Sequence, residues 1–332
     1  MGGQNRMAAL LPGVAGKISF EYTVRSTQII RGEIMQTVTV SPTLELHNLS
    51  SDPAEEWSRL LGFVGLTAVD KQAMSHSTEI LLRRAPELVI NTYNYLLSVP
   101  ETAAILGWER GANEEHLAER RRFFAVWLAR VIGMDTSDEF AYYLVRAGKF
   151  HAGHGPRHIH TPPAYITTSI GIVGAAFASY MQEAGLSGSV IAKAMAGWNK
   201  YLSVQLHMML LGYETARRFS QGAWAIPVKL FGRMRLMVGD TAVTVHVDPG
   251  ASVEDLLRKF FDYYPQTRSF ALERVWNSEE KTNSAWVEVK PVYVPIQKGW
   301  RVLLNGRDLT YAGGFPTPLS PNDTISIFPP GR

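Results

Sequence analysis

The sequence predicts a multidomain chain: a short β-rich N-terminal segment, an all-α domain, and a final α+β domain built on a mixed sheet. Apolar residues recur at helical spacing from Ser51 to about Arg218. Before and after that stretch, β-branched and aromatic residues run or alternate as strands do. The 332 residues, 46% hydrophobic and 19% charged, supply more than one core.

Residues 1–50 contain KISFEYTV and IMQTVTV, two strand-like runs closed by Pro42 and a Ser/Asn-rich turn. They carry no evident chemistry, and a role in covering or bridging the later domains is the expectation.

In the helical region, 51–218, Trp57, Leu60, Leu61 and Val64 share a face, and Thr67 with Asp70 forms a capping box for the next helix. Pro86 is read as a break that opens a fresh helix, with Val89, Tyr93, Leu96 and Leu97 on its apolar stripe and Pro100 after it. This points the Tyr93 hydroxyl inward, where the plain expectation is a bond to a core carbonyl. Asn113 caps a helix that buries Leu117, Phe124, Leu128 and Val131 and leaves Arg120 to Arg122 in solvent. Thr136 or Ser137 caps the next. Thr161-Pro162-Pro163 then starts a helix with Ile166, Ile170, Val173, Phe177 and Met181 inward, in which Gly171, Gly174 and Ala175 should permit close approach. A long helix, roughly Ser189 to Arg217, follows.

Between these helices lies GKFHAGHGPRHIHTPPAY, residues 148–165, with four of the nine histidines. Phe140, Leu144, Ala147 and His151 fall at i, i+4, i+7 and i+11, so His151 points where the apolar stripe points. A buried imidazole without a partner loses about 1–3 kcal/mol, so it requires a hydrogen-bond acceptor or a metal. A separate zinc or nickel site within the loop lacks the usual donors, because the stretch has no carboxylate and the chain no cysteine.

FSQGAWAI provides a linker over 219–226, with Pro227 opening the next domain. Beyond it VKLFGRMRLMVG and VTVHVDPG read as two strands around a Gly-Asp turn, and Ser252 with Asp255 caps a helix bearing Leu256, Leu257, Phe260 and Phe261. Strands return near Val287–Val294 and Arg301–Leu304, Asn305-Gly306 signals a hairpin, and TISIFPP is the last strand.

The absence of cysteine excludes disulfides and thiol catalysis and fits a cytoplasmic setting. A net charge of +3, with basic residues dispersed, gives no nucleic-acid footprint. No signal peptide is evident, and the most apolar stretch, Ile166 to Met181, is read as too short to span a membrane.

Residues 51–218 resemble the globin domain of globin-coupled sensors and protoglobins. The matching stretches are LLGFVGLTAVDKQAM, LVINTYNYLLSVPETAAIL, NEEHLAERRRFFAVWL and AGKFH. The resemblance implies a globin fold and a haem b (iron protoporphyrin IX) whose iron is held by His151 as proximal ligand. It makes Tyr93 the distal residue that hydrogen-bonds a bound gas (O2, NO or CO) and Phe124 the aromatic cover of the ligand site. The sequence departs from the family in placing His154, His158 and His160 within nine residues of that ligand; any of them could take its place, with His154 the leading rival or a further haem-binding residue. The family also suggests a homodimer through the last two globin helices.

Residues 227–332 resemble the ubiquitin-like, β-grasp sulfur carriers of molybdopterin and thiamine synthesis, through VKLFGRMR, DPGASVEDLL, LLNGRDL and FPTPLSPNDTISIFPP. Those carriers act through a terminal Gly-Gly, whereas Pro329-Pro330-Gly331-Arg332 ends this chain, so carrier chemistry is not expected unless the tail is trimmed. The leading expectation is a haem-based gas sensor, more a binding protein than an enzyme, coupled to a ubiquitin-like module with an unknown protein partner. A sulfur-carrier or accessory protein fused to a globin, and a haem enzyme scavenging nitric oxide or peroxide, are the alternatives. No kinase, cyclase or methyl-accepting output motif is present.

Overall fold

Asp52 accepts a hydrogen bond from the Ala54 amide and so starts α1 (Pro53–Phe63), the first of seven helices that form the helical half of the computed structural model. The structure describes residues 43–280, 287–295 and 300–328; the two strands expected before residue 42 and the tail 329–332 lie outside these. The helices continue as α2 (Ala68–Ser98), α3 (Pro100–Leu106), α4 (Glu114–Ile132), α5 (Asp138–His151), α6 (Pro163–Glu183) and α7 (Gly188–Phe219). Three of the expected caps are present: the Thr67/Asp70 box, Asn113 on α4, and Ser137 on α5.

Pro86 does not break its helix. It sits inside a continuous α2 of 31 residues. An interior proline forfeits one backbone bond and costs about 3 kcal/mol. Burial of Met74, Leu81, Leu88 and Val89 on both sides of it offsets that cost. Leu97, expected inward, is exposed near the end of the helix. The short α3 after Pro100 was not anticipated; its end at Gly107 (φ 72°) turns Trp108 back into a small cluster with Ala103 and Leu117, against Tyr93.

The main core joins Trp57, Phe140, Leu144, Phe177, Met181, Trp198 and Tyr201, all 1% exposed or less. At 21 residues α6 extends beyond the apolar stretch Ile166 to Met181 and is long and apolar enough to cross a bilayer, contrary to the expectation from sequence; here its Ile166, Val173, Phe177 and Met181 are buried in that core. The close approach expected on α6 occurs elsewhere. Gly148 on α5 and Gly212 on α7 bring those backbones together: a Cβ on Gly148 would lie 1.8 Å from the Met209 carbonyl oxygen, and one on Gly212 2.0 Å from that of Val145.

The second half is a five-stranded mixed sheet in the order β2-β1-β7-β5-β6, comprising β1 (Trp224–Leu230), β2 (Ala242–Val247), β5 (Arg301–Leu304), β6 (Arg307–Asp308) and β7 (Ile325–Phe328). β1 and β7 are parallel neighbours; the other pairings are antiparallel. α9 (Val253–Tyr263), opened by the Ser252/Asp255 box, buries Leu256, Leu257, Phe260 and Phe261 in the same core as Ile226, Val228, Ile325 and Ile327. The strand read through VKLFGRMRLMVG is interrupted: after Leu230 the chain forms α8 (Gly232–Val238), closed by Gly239 at φ 84°. β1 begins at Trp224, inside the stretch read as linker. After a short α10 (Arg268–Ala271), β3 (Leu272–Glu280) and β4 (Val287–Pro295) pair as a separate antiparallel ribbon.

The two halves are in contact at several points, among them the end of α7 and the segment before α1. Phe219, the last residue of α7, packs into the sheet core. Residues 43–50 form a strap: Leu46 is fully buried in that core and exchanges backbone bonds with Tyr293, Thr43 bridges to Gly314, and Ser50 donates to Asp262. Asp262 is also paired with the buried Arg268 at 2.6 Å, and that guanidinium donates to the Ser50 carbonyl. These eight residues cover the sheet half; the rest of the N-terminal region, expected to cover or bridge the later domains, lies outside the described residues.

Candidate functional site

α5 delivers His151 as its last residue, on the face of Phe140 and Leu144, and the loop that follows closes at once, with the Thr161 amide donating to the His151 carbonyl at 2.7 Å. The imidazole Nδ1 lies 2.7 Å from the Ala147 carbonyl. A carbonyl only accepts, so Nδ1 carries the proton and Nε2 keeps a lone pair. Nε2 has no protein partner among the described residues, and the ring lines a cavity of about 590 Å³.

That volume falls in the roughly 300–1,000 Å³ range of small-molecule and cofactor pockets. Its walls come from α2 (Tyr93, Leu96), α4 (Phe123, Phe124, Trp127), α5 (Tyr143, Ala147), α6 (Ile166, Ile170, Val173) and α7 (Met209). Tyr93, Phe124 and His151, chosen from three separate stretches of sequence, thus meet around one space. Phe124 stacks on Trp127 at 5.5 Å and meets the Tyr93 ring edge-on at 6.2 Å. The Tyr93 hydroxyl donates to the Arg120 carbonyl at 3.0 Å, the plain expectation for a buried tyrosine, and burial pushes its pKa up to about 12.

His154 is not on the cavity wall. Its Nδ1 lies 2.9 Å from the Tyr263 hydroxyl and its Nε2 3.0 Å from the Ser220 hydroxyl, at the contact with the sheet half. His160 pairs with the Tyr213 hydroxyl at 2.6 Å, and His158 is exposed beside the Gly153 carbonyl. The loop histidines therefore serve separate partners. The Arg120–Arg122 run is not a uniformly solvated face: Arg122 is exposed, but Arg120 lines the cavity and the Arg121 Nε is buried without a partner among the described residues.

Residues 54–218 match the family model described as Protoglobin. They form a protoglobin domain. Among solved structures, the globin domain of the Geobacter sulfurreducens globin-coupled sensor is 18% identical, covering 47% of this chain and 96% of that one, with a TM-score of 0.38. The ferric globin domain of E. coli DosC is 14% identical over 48% and 98% of the two chains, TM-score 0.37. The small archaeal modifier protein 1 (SAMP1) from Methanosarcina acetivorans is 24% identical over 32% and 93%, TM-score 0.24. No curated protein matches the chain.

The protoglobin family implies haem binding, and the residues present fit that group. A fixed-tautomer imidazole offers one unclaimed nitrogen to a largely apolar, aromatic cavity, the donor a haem iron requires. Burial is the largest cause holding His116, His151 and His154 below the ordinary histidine value. The unfolded chain takes up protons near pH 6.5 that these three rings resist, so stability is complete above that pH and falls as the pH drops below it. The urea midpoint of the protoglobin domain should accordingly be lower at pH 6.0 than at 7.5, and an unchanged midpoint would show that the rings are not buried neutral.

Proposed function

We propose that this protein binds haem b and a diatomic gas (O2, NO or CO) and relays ligation to its C-terminal half. The geometry of His151 supports this most directly: Nδ1 is fixed by the Ala147 carbonyl, and Nε2 is left to hold iron as proximal ligand. Haem supplies the metal at which a gas binds; the chain orients it, dries it and supplies the distal contacts. Phe124, with Trp127, keeps water from the distal side. Tyr93 is the distal donor, but its proton must first leave the Arg120 carbonyl. Its contribution is therefore the difference between a charge-assisted and a neutral bond, about 1 kcal/mol. Tyr93→Phe should accelerate O2 dissociation about fivefold in stopped-flow measurements, and an unchanged rate would leave Tyr93 a purely structural residue.

Relay is supported by the contacts of α5. Lys149, half a turn before His151, donates to the Tyr263 carbonyl at 2.5 Å and sits over the Tyr263 ring at 4.4 Å. Tyr263 also meets His154 and stacks on Phe219 at 4.2 Å, so the segment carrying the proximal histidine ends against the last residue of α9. We read the sheet half as a ubiquitin-like β-grasp module, supported by its strand order and its single long helix, with a protein partner as its target. Hydrogen exchange in α9 should change between CO-bound and ligand-free protein, and Tyr263→Ala should erase that difference; identical α9 exchange in the two wild-type states would sink the relay. A cytoplasmic homodimer through α6 and α7 completes the proposal. The small exposed Ala175 on α6 suits a second copy, and a dilution-independent monomer in light scattering would remove the dimer.

A further inference from the structure

Arg120 reads from sequence as a solvated charge, yet it lies on the cavity wall with its Nε 3.0 Å from His116 Nε2. The other ring nitrogen of His116, Nδ1, lies 3.0 Å from the indole Nε1 of Trp108. His116 is 5% exposed and Trp108 2%, so neither group can turn to water. Guanidinium and indole are donors only, and a neutral imidazole has one lone pair. Two donors thus converge on a ring that can accept from one, in either tautomer. Protonating the ring removes the remaining lone pair, and burial together with Arg120 and Arg157 disfavours that state.

Trp108 has nowhere to go, because Ala103, Leu117 and Tyr93 surround it. Arg120 can move: it is half-buried, long, and at the cavity edge. No carboxylate pairs with it among the described residues; its neighbour Glu119 is taken by Arg157 at 2.5 Å. What is missing is an acceptor, and the cavity beside the guanidinium is where one can be supplied.

We infer that Arg120 anchors a carboxylate of the molecule that fills the cavity, leaving His116 to accept from Trp108 alone. This rests on the haem reading, in which the carboxylates are porphyrin propionates. Release of Arg120 resolves the donor conflict: the Trp108 N–H fixes the Nε2–H tautomer of His116, and the guanidinium gains the planar, charged acceptor it is shaped for.

The test compares haem with its dimethyl ester, which has the same ring and iron but no carboxylates, in wild type, Arg120→Leu and Arg120→Lys. Loss of each from the protein is followed by transfer to an excess of apomyoglobin, with helix content checked by circular dichroism. A charge-assisted bond corresponds to a rate change of about tenfold to a hundredfold. Arg120→Leu should release haem faster by that factor and release the ester at the wild-type rate, and Arg120→Lys should recover part of the difference. Equal acceleration for both ligands would make Arg120 a structural residue and overturn the inference, as would an unchanged rate for haem. If the wild-type chain takes up neither ligand, the haem reading itself fails and the anchor with it.

Discussion

The His151→Ala variant should fold and remain colourless, its Soret band absent under conditions in which the wild type takes up haem stoichiometrically. Little of the helix depends on the imidazole, because the Ala147 carbonyl that receives Nδ1–H is also the i−4 acceptor within α5. What disappears is the imidazole Nε2, which faces the cavity without a protein partner among the described residues. Free imidazole added to the variant should diffuse into the vacated space and restore the band. A band that survives in the variant without added imidazole would transfer the proximal role to another residue, and His160, at the far end of the same loop, would be the next to replace.

Gly212→Val should cost the helical half more than about 3 kcal/mol, beyond ordinary overpacking of a core. Overpacked side chains usually find room by rotating, but here the obstacle is backbone: the Val145 carbonyl carbon and oxygen stand 2.7 and 2.0 Å from the new Cβ. The two helices would have to separate, and α5 is the helix that ends in His151. Haem affinity should therefore fall together with stability, although Gly212 is not part of the cavity wall. Gly171→Ala and Gly174→Ala on α6 are the controls. Nothing lies within 4 Å of a Cβ at the first and only the Met195 side chain, at 3.9 Å, at the second, so each should be neutral or stabilising by up to about 1 kcal/mol. Urea unfolding followed by circular dichroism separates these outcomes; a Gly212 variant as stable as the controls would mean the helices cross less closely than described.

The contrast between these glycines shows what the sequence could reveal. Caps were legible because they are local: Thr67 with Asp70, Asn113 and Ser252 with Asp255 each satisfy amides within three residues. The inward faces of α4, α5 and α6 were legible because 3.6-residue periodicity is a property of one helix. Which small residues mark a crossing is a property of two helices, and the glycines of α6 look no different in sequence from those of α5 and α7. Pro86 misled for the same reason, since the packing that keeps α2 continuous through it comes from other elements. At the site, periodicity brought Tyr93, Phe124 and His151 inward, whereas Arg120 was assigned by charge alone to solvent. His154 drew attention as a histidine close to the ligand, but its bonds to Tyr263 and Ser220 depend on a domain more than sixty residues further on.

The strap formed by residues 43–50 has a consequence for how the protein is made. Leu46 leaves the ribosome before any helix of the domain, yet the core it enters includes Ile325 and Ile327, far later in the chain. The helical half can collapse while translation continues, but the sheet half cannot close until β7, which pairs with both β1 and β5, has emerged. During that interval the strap is an unpaired extended segment, and Tyr293, its eventual hydrogen-bond partner, has yet to emerge. The halves should mature in sequence, helices first, and a newly made chain should be most vulnerable to proteolysis near residue 46 until β7 has docked.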